Sequence, residues 1–496
     1  MNKLTFSQLM AILLLCLSPV VISCGSDEDE QPDVVPTESV KMTDCSVAEG
    51  AEVDAALLRS ISLTYSVPVA INKAVETKLN GECVIPERGS STKNISIPVS
   101  LENGKDYTLT IPEGAITAMN DSKQSAPALT LHFKTKEGAQ KGNIAEKLSN
   151  PKATKEAQNV YKFLRDHYGK NMLSGVQSSM SNTLDYVNAV AASTGKHPAL
   201  AGFDFLYLPF SPTPAGWSWV QDYTDISAAK EQWENNGIVS YMWHWNVPNS
   251  EADFNNCLNG ATDNMGFYCP GANSSGTTNF DIREALKEGT WENRCIMRDI
   301  DEVAITLKLL QDANIPILFR PLHEAAGNYT KYNKNGGAWF WWGRYGASYC
   351  KQLYQLLYKT FTDTYHLNNI IWVWTIDAAE GYEHEALEWY PGDEYVDIVG
   401  VDVYTDNIAT PWKSQFDFMN SITGGKKLTT VSECGNMPDP TAQFTGNANY
   451  LWFMVWPTTN DKGVDISGYP KNTANYWKQI VGNKYILNRE DMPSLK

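Results

Sequence analysis

Residues 370–376 read IIWVWTI, an apolar run of the length and character expected of a parallel strand buried on both faces. Similar runs recur along the chain after residue 143. In order, the eight runs are Met172 to Gln177, Ala199 to Phe205, Ile238 to Trp245, Ile315 to Leu322, Ile370 to Ile376, Val396 to Tyr404, Leu428 to Glu433 and Leu451 to Trp456. Because eight parallel strands close a (β/α)8 TIM barrel, we predict this α/β fold for residues 143–496.

Stretches with helical spacing of apolar residues lie between several of these runs, as a barrel requires. They are Val160 to Tyr168, Ala228 to Asn235, Arg298 to Leu310 and Tyr345 to Phe361. A doubly wound open sheet is the main alternative. No run is followed by a GxGxxG or GxxxxGK[ST] loop, however, so the barrel is favoured.

The composition divides the chain into two unlike parts, and its charge argues against one class of partner. All 16 tryptophans lie at or after Trp217, so the material before this point differs from the rest. The chain has 40 Lys and Arg against 57 Asp and Glu, a formal charge of −17. Phosphate backbones repel such a protein, and we expect no nucleic-acid partner.

Residues 39–138 contain short runs with partial alternation, separated by Gly, Asn and Pro. The clearest runs are Ser60 to Val67, Lys93 to Val99, Tyr107 to Ile111 and Leu129 to Phe133. In the first of them Ile61, Leu63 and Tyr65 share one face, which predicts a small antiparallel β-sandwich. The segment resembles the bacterial Ig-like modules that space a catalytic domain from a membrane. Its scarcity of aromatic residues favours a spacer over a glycan-binding module.

The amino terminus has the features of an export signal. A basic start is followed by an apolar run from Leu9 to Ile22, too short for a comfortable membrane span. The run ends in VISC at 21–24, which resembles the cleavage box of bacterial lipoproteins, with Cys24 as the acylated residue. The acidic GSDEDE at 25–30 resembles the surface-export tag of outer-membrane lipoproteins.

We therefore predict a lipoprotein signal peptide at 1–23 and an acidic flexible tether at 24–38. The expected location is the outer membrane, with the protein anchored through lipidated Cys24 and exposed at the cell surface.

Cysteine usage gives a weaker set of expectations. Nine cysteines less Cys16 in the signal and the lipidated Cys24 leave seven for an oxidising compartment. Cys257 and Cys269 bracket a loop rich in Gly, Asn and Ser and are the best candidates for a disulfide, and Cys45 with Cys83 is a weaker one. No CxxC pair or HExxH pattern occurs, so we expect no metal site and no cofactor.

Polar residues end nearly every predicted strand, and in a barrel these ends form the catalytic mouth. They are Asp204, His244, His323 with Glu324, Asp377, Asp402 with Tyr404, Glu433 and Trp456. Glu324 and Glu433 end the fourth and seventh runs, which lie roughly opposite each other. Retaining glycoside hydrolysis needs two carboxyls about 5 to 5.5 Å apart, one protonated and one ionised. The pair therefore predicts a glycosidase site.

Sequence motifs across the predicted barrel closely resemble glycoside hydrolase family 26, whose best-known members are endo-β-1,4-mannanases. The motifs are SGVQ at 174–177, WHW at 243–245, RPLHE at 320–324, WFWWG at 339–343, DVY at 402–404, VSE at 431–433 and WFMVW at 452–456. They occur in the family's order over most of residues 143–496.

The resemblance implies a role for each matched residue. Glu324 is expected to be the general acid/base and Glu433 the nucleophile, with Arg320 keeping Glu433 ionised and oriented. The remaining matches are His323 and His244 as partners of sugar hydroxyls or carboxylates, Tyr404 as a hydrogen-bond donor to the nucleophile, Asp402 as its polar neighbour, and Trp339 and Trp456 as platforms for sugar rings.

One departure from the family pattern lies beside the acid/base. Family members often run from the HE pair directly into WFWWG, whereas this chain inserts residues 329–338. It remains open whether Trp339 or Tyr329 is the platform. The long loop from Val247 to about Glu292 is expected to wall the cleft.

These observations predict a retaining hydrolase of internal β-1,4-mannosidic bonds in β-mannan, galactomannan or glucomannan. The resemblance also admits hydrolysis of mixed-linkage glucan or β-1,3-xylan, and an exo-acting mannobiohydrolase. A non-catalytic surface glycan-binding protein is disfavoured, because a binding protein has no need of both Glu324 and Glu433.

Overall fold

The computed structural model describes residues 39–136 and 144–496, apart from positions 54, 56–57, 59, 103, 179–181, 207, 209–221, 259–263, 328–337, 378–386, 457 and 461–462. The predicted signal peptide, Cys24 and tether lie outside the described residues, and so does Tyr329. Within the described ranges no helix combines the length and apolarity needed to cross a membrane.

The described residues up to 136 form an all-β module. Its strands are β1 (Met42–Cys45), β2 (Ala51–Val53), β3 (Ser60–Tyr65), β4 (Val69–Ile71), β5 (Thr77–Leu79), β6 (Glu82–Val84), β7 (Glu87–Arg88), β8 (Asn94–Pro98), β9 (Asp106–Ile111), β10 (Ile116–Ala118) and β11 (Leu129–Thr135). They form a four-stranded sheet (β1-β3-β8-β7), a five-stranded sheet (β2-β11-β9-β5-β6) and a β10-β4 pair.

Alternate residues of the two larger sheets fill one core. Ile61 and Leu63 of β3 and Leu131 and Phe133 of β11 are all buried in the same apolar cluster. The predicted inward face of the run that begins at Ser60 is confirmed.

The remaining strands belong to the C-terminal part. They are β12 (Met172–Leu173), β13 (Gly175–Gln177), β14 (Leu200–Asp204), β15 (Ile238–Met242), β16 (Val247–Pro248), β17 (Met265–Gly266), β18 (Ile317–Arg320), β19 (Ile370–Asp377), β20 (Ile398–Val403), β21 (Leu428–Cys434), β22 (Thr458–Asn460), β23 (Gly463–Asp465) and β24 (Ile486–Leu487). Seven of them form a parallel sheet in the order β13-β14-β15-β18-β19-β20-β21. These seven match the first seven predicted runs.

The eighth predicted run closes the sheet into a barrel. Residues 451–456 form single parallel bridges to both edges of the sheet rather than a continuous strand. The Val455 amide donates to the Gly175 carbonyl at 3.1 Å, and the Trp456 amide donates to the Cys434 carbonyl at 2.8 Å. The (β/α)8 TIM-barrel prediction is confirmed.

The helices of the C-terminal part are α1 (Lys155–His167), α2 (Asp185–Thr194), α3 (Ser227–Glu234), α4 (Glu251–Leu258), α5 (Ile282–Ala285), α6 (Trp291–Asp312), α7 (Ala347–Lys359), α8 (Lys413–Ile422), α9 (Pro440–Thr445) and α10 (Ala474–Val481). The longest, α6, begins where the Thr290 hydroxyl accepts the Asn293 amide at 3.0 Å, a normal N-cap. Its buried residues Ile296, Ile300 and Leu307 recur at helical spacing and pack into the barrel core.

Both disulfide predictions are wrong. Among the described residues Cys257 is not joined to Cys269, and Cys45 is not joined to Cys83. The Cys257 sulfur instead lies 3.8 Å from the sulfur of Met265. Cys269 is buried, and its amide donates to the Trp339 carbonyl at 2.6 Å. Backbone hydrogen bonds therefore tie down this loop.

Candidate active site

The predicted site residues meet at the carboxyl ends of the barrel strands. Arg320 ends β18, Asp402 lies near the end of β20 and Glu433 near the end of β21. The side chain of Arg320 bridges the other two: Nη1 donates to Asp402 Oδ2 at 2.8 Å and Nη2 to Glu433 Oε2 at 2.6 Å. All three residues are buried. Burial opposes the charge of the guanidinium, but the two carboxylates hold the pKa of Arg320 above its ordinary value.

Glu433 receives a hydrogen bond on each carboxylate oxygen. Arg320 donates to Oε2, and the Tyr404 hydroxyl donates to Oε1. Although 48% of Tyr404 is exposed, its hydroxyl end lies against the Glu433 carboxylate, where loss of water and then the Glu433 charge raise the pKa of this hydroxyl well above its usual range, so Tyr404 remains a donor. These two hydrogen bonds fix the orientation of the Glu433 carboxylate.

A β-bulge presents Glu433 to the site. Val401 pairs with Val431, but the next residue of β20, Asp402, pairs with Glu433, which leaves Ser432 as the extra residue. The space that Ser432 needs comes from Gly400, where an added Cβ would lie 1.6 Å from Ser432 Oγ. The Thr375 hydroxyl also donates to Ser432 Oγ at 3.1 Å.

Glu324 lies on a turn with unusual backbone geometry. Leu322 and Glu324 have φ values of 52° and 53°, in the left-handed region that costs a non-glycine residue about 1 to 3 kcal/mol. Two hydrogen bonds hold the turn. The Glu324 amide donates to the Thr375 carbonyl at 3.1 Å, and the Trp342 indole N–H donates to the His323 carbonyl at 2.9 Å.

The electrostatic surroundings of Glu324 favour a protonated carboxyl. Burial raises its pKa well above the usual value, and the charges of Asp402, Glu433 and Asp377 add to this effect. Burial also raises the pKa of Asp402, but Arg320 opposes that shift. Since Glu324 forms no ion pair among the described residues, the proton rests on Glu324. It can then donate to Asp402 Oδ1, a buried oxygen with no other described donor.

The two glutamates are close enough for double displacement. Glu324, Asp402 and Glu433 each place one oxygen within 4.8 Å of the others. Inverting glycosidases separate their carboxyls by about 6.5 to 9.5 Å, so this spacing favours the retaining arrangement. Three oxygens at such distances could also hold a cation, but the Arg320 guanidinium already binds two of these residues.

Two histidines, His244 and His323, lie in contact at the carboxyl ends of neighbouring strands β15 and β18. The His244 amide donates to Asp204 Oδ1 at 2.9 Å, and His244 Nδ1 lies 2.6 Å from Asp204 Oδ2. Asp204 therefore fixes the ring orientation and leaves Nε2 for another partner. The His323 ring lies 4.6 Å from the His244 ring. Burial, followed by Arg320 and His244, lowers the pKa of His323 well below its usual value, so its ring is neutral.

The two tryptophans predicted to be sugar platforms lie near other groups of the site. The Trp456 ring lies 5.6 Å from His244. Trp339 packs so closely on Gly327 that an added Cβ there would lie 2.4 Å from the indole. A cavity of about 700 Å³ runs from Trp339 and Tyr404 to Trp412. Trp339 thus borders this cavity.

The long loop after β15 reaches the same mouth. Phe267 lies 5.0 Å from the His244 ring, and Tyr268 stacks on Phe340 at 5.5 Å. Burial, with the charges of Glu324 and Glu433, raises the pKa of the Tyr268 hydroxyl. This part of the predicted cleft wall is therefore confirmed.

Sequence reasoning assigned no role to Asp204, Trp342 or Gly400. Asp204 is one of the strand-end acids and Trp342 belongs to the WFWWG motif, so the sequence indicates where each residue lies. It does not indicate which group each residue hydrogen-bonds. Gly400 gave no signal, because its importance depends on a bulge in the neighbouring strand.

Comparison with known proteins relates the chain to one family of glycosyl hydrolases. The model of the glycosyl hydrolase family 26 matches residues 149–490. A mannan endo-1,4-β-mannosidase of Thermothelomyces thermophilus is 34% identical over 354 residues, which cover 70% of this chain and 64% of that protein. The chain spans between 50% and 64% of the length of this enzyme and two curated relatives from Piromyces.

Two solved structures align with the chain over the barrel. The GH26 domain of an endo-β-mannanase/endo-β-glucanase from Prevotella bryantii is 31% identical with a TM-score of 0.60, covering 70% of this chain and 99% of that domain. A β-mannanase from a symbiotic protist of the termite Reticulitermes speratus, complexed with gluco-manno-oligosaccharide, is 30% identical with a TM-score of 0.58, covering 71% and 99%.

Proposed function

Since the chain belongs to glycosyl hydrolase family 26, we propose that it is a retaining endo-β-1,4-mannosidase acting on β-mannan, galactomannan or glucomannan. The observation that carries the proposal is the unequal glutamate pair. Glu433 accepts hydrogen bonds from Arg320 and Tyr404, whereas Glu324 lies within 4.8 Å without an ion-pair partner among the described residues.

The proposed reaction has two steps. In the first, a Glu433 oxygen attacks the anomeric carbon while Glu324 gives its proton to the departing glycosidic oxygen, and a covalent mannosyl-enzyme forms. In the second, Glu324 takes a proton from water, the water oxygen attacks the same carbon, and the bond to Glu433 breaks. Both attacks occur from opposite faces, so the β configuration returns.

We propose that the remaining matched residues hold the sugar. His244 presents Nε2 toward the mouth because Asp204 binds its other ring nitrogen, and neutral His323 can share a hydrogen bond with a hydroxyl. Trp456 and Trp339 offer apolar faces on which pyranose rings can stack. The similarity to the Thermothelomyces thermophilus mannan endo-1,4-β-mannosidase and to the protist β-mannanase complexed with gluco-manno-oligosaccharide supports mannan as the substrate.

Product analysis tests the substrate. Protein beginning at residue 25 is incubated with carob galactomannan, barley mixed-linkage glucan and β-1,3-xylan, and products are separated over time. Early mixed manno-oligosaccharides are expected. Mannobiose alone from the outset would instead indicate an exo-acting enzyme. Turnover of only glucan or xylan would show that this glycan, and not mannan, is the substrate, and no turnover would favour a glycan-binding protein.

Azide rescue tests the two glutamate roles. In Glu433→Ala, azide should restore turnover of an activated aryl mannoside with an α-mannosyl azide product, because azide replaces the nucleophile. In Glu324→Ala it should give the β-mannosyl azide. Glu231→Ala, which alters an exposed glutamate on α3, is the matched control and should keep full activity. Full activity of Glu433→Ala would contradict the mechanism.

We also propose that the protein is an outer-membrane lipoprotein at the cell surface, anchored through Cys24. The VISC box and the acidic stretch that follows support this location. Labelling with palmitate should occur in the wild type and be lost in Cys24→Ser. Protease added to intact cells should degrade the protein, and protection from protease would place it inside the envelope.

The all-β module is proposed to be an Ig-like spacer. The three Phe and Tyr residues in 39–136 are Tyr65, Tyr107 and Phe133, and none offers an open platform. Tyr65 and Phe133 are buried, and Tyr107 stacks on Phe133 at 5.5 Å. Deleting the module should leave kcat/KM on soluble mannan unchanged, whereas a rise in KM would indicate that it binds glycan.

A further inference from the structure

A cavity of about 700 Å³ adjoins the proposed nucleophile, and the proposed function gives most of its lining no role. Its volume is within the range of about 300 to 1,000 Å³ that is typical of ligand sites. Tyr404, whose hydroxyl donates to Glu433, lines the cavity together with Trp339. Asn407 from the loop after β20 and Gln415 from the first turn of α8 also line it. The cavity therefore offers aromatic and carboxamide groups beside the site of reaction.

The order of the strands separates this cavity from two groups proposed to hold the sugar. Glu324 follows β18 and Glu433 lies near the end of β21, so the two glutamates divide the ring of strands into two arcs. One arc contains β19 and β20, and Asp377 at the end of β19 lines the cavity. The other arc contains the eighth run, β13, β14 and β15, and it carries Trp456 and His244. A glycan bound between the glutamates would extend from one arc to the other.

Hydrogen bonds to the barrel hold the cavity wall in place. The buried Asn436 side chain donates to the Thr405 carbonyl at 3.0 Å. The indole N–H of Trp412, which is also buried, donates to the Asn407 carbonyl at 2.9 Å. The buried Tyr450 hydroxyl in turn donates to the Trp412 carbonyl at 2.8 Å. The wall is therefore preformed, which lowers the entropy cost of binding a ligand.

Two carboxamides of this wall can bind a ligand. Gln415 Oε1 accepts the Ser414 hydroxyl at 2.9 Å, but neither Gln415 Nε2 nor the Asn407 carboxamide has a hydrogen-bond partner among the described residues. Carboxamides both donate and accept, as sugar hydroxyls do, and Trp339 offers an apolar face for a pyranose ring. Asp377 is the only charged residue in the described lining, which suits a neutral ligand.

We infer that this cavity binds the part of the glycan that departs in the first step, and that Asn407 and Gln415 hydrogen-bond its hydroxyls. The reacting sugar is proposed to lie against His244 and Trp456, so the sugars beyond the cleaved bond extend along the opposite arc, where the cavity lies. Contacts on both sides of this bond hold it in position for attack, which raises the rate for substrates that fill the cavity. The inference rests on the proposed function.

Kinetics with two leaving groups test the inference on the full chain. Mannopentaose releases a sugar or a shorter oligosaccharide, whereas 4-nitrophenyl β-mannobioside releases a phenol without sugar hydroxyls. Asn407→Ala and Gln415→Ala should each lower kcat/KM for mannopentaose by about three- to tenfold more than kcat/KM for the aryl substrate, the effect of one hydrogen bond.

The position of cleavage gives a second readout. Hydrolysis of mannohexaose in water labelled with ¹⁸O marks the new reducing end, so mass spectrometry identifies the bond that was cut. Weaker binding in the cavity moves the substrate toward the opposite arc. Both variants should therefore cut bonds nearer the reducing end more often than the wild type does.

Gln352→Ala is the matched control, because this exposed carboxamide lies on α7 and donates to the Ser348 carbonyl of its own helix at 3.1 Å. It should change neither readout. Equal losses on both substrates with an unchanged cleavage pattern would overturn the inference, and so would no loss. A loss confined to galactose-branched mannan would also overturn it, because the cavity would then hold a branch. A wild type inactive on manno-oligosaccharides and the aryl mannobioside would overturn the proposed function together with the inference.

Discussion

Gly400→Ala is the substitution that most directly tests how the barrel presents Glu433, its proposed nucleophile. The new methyl carbon would lie 1.6 Å from Ser432 Oγ and 2.9 Å from Ser432 Cβ. Rotation of the Ser432 hydroxyl can relieve the first contact but not the second. Carbon atoms in contact prefer about 3.5 to 4.0 Å, so the bulge must move by at least about 0.6 Å.

The expected result is a loss of both stability and activity. Overpacking of this kind costs about 1 to 3 kcal/mol, which should lower Tm by several degrees. Glu433 follows Ser432 directly, and a displacement of 1 Å in an active site can cost about 100-fold in rate. We therefore expect kcat/KM to fall by about tenfold or more, as measured by reducing-sugar release from galactomannan alongside thermal unfolding.

Second substitutions at Ser432 show whether this contact is the cause. Ser432→Ala removes only Oγ and should rescue Gly400→Ala in part. Ser432→Gly removes both clashing atoms and leaves Thr375 Oγ1 at 3.1 Å as the nearest neighbour, so that double mutant should recover most of the activity. The Ser432 single mutants serve as controls. Equal activity of all three Gly400→Ala proteins would refute the reasoning.

Three further substitutions probe the charges and the turn at the site. Burial raises the pKa of Glu324, so its carboxyl binds a proton more tightly in the folded chain than in the unfolded chain. The stability that this proton contributes to the wild type is therefore lost as the pH rises above the unfolded pKa of about 4.3. Glu324→Gln avoids that loss, and the difference in Tm between variant and wild type should grow from pH 4 to neutral pH, whereas a constant difference would contradict this account. Arg320→Met leaves Asp402 and the nucleophile buried without their cation, which should cost about 3 to 5 kcal/mol in a urea titration and be partly recovered by adding Asp402→Asn. Trp342→Phe removes the indole donor to the His323 carbonyl, and should cost about 1 kcal/mol of stability and lower kcat more than it changes KM.

The barrel itself could be predicted from the sequence because burial on both faces leaves a distinct pattern. The run at 370–376 forms β19, and Asp377, the polar residue that follows it, lines the cavity at the mouth. The eighth run, 451–456, carries the same pattern although it forms only single bridges. The apolar character of a segment indicates that it is buried in the barrel. Its regular backbone pairing depends also on the two neighbouring strands.

The backbone features that orient the proposed catalytic groups could not be predicted from the apolar pattern. The bulge at Ser432 follows from a register shift between two strands, and the positive φ of Glu324 depends on partners far along the chain, including Thr375. The failed pairing of Cys257 with Cys269 has the same origin. Two cysteines that bracket a loop suggest a disulfide, but the position of each thiol depends on packing around Met265 and Trp339.

The different roles proposed for the two glutamates arise from their partners and not from their depth in the protein. Glu324 and Glu433 are equally buried, each 7% exposed, so depth does not distinguish them. Glu433 receives two donors, from Arg320 and Tyr404, whereas Glu324 faces Asp402, which can only accept. In the proposed mechanism one carboxyl is therefore the nucleophile and the other the acid, because the donors lie on one side of the site.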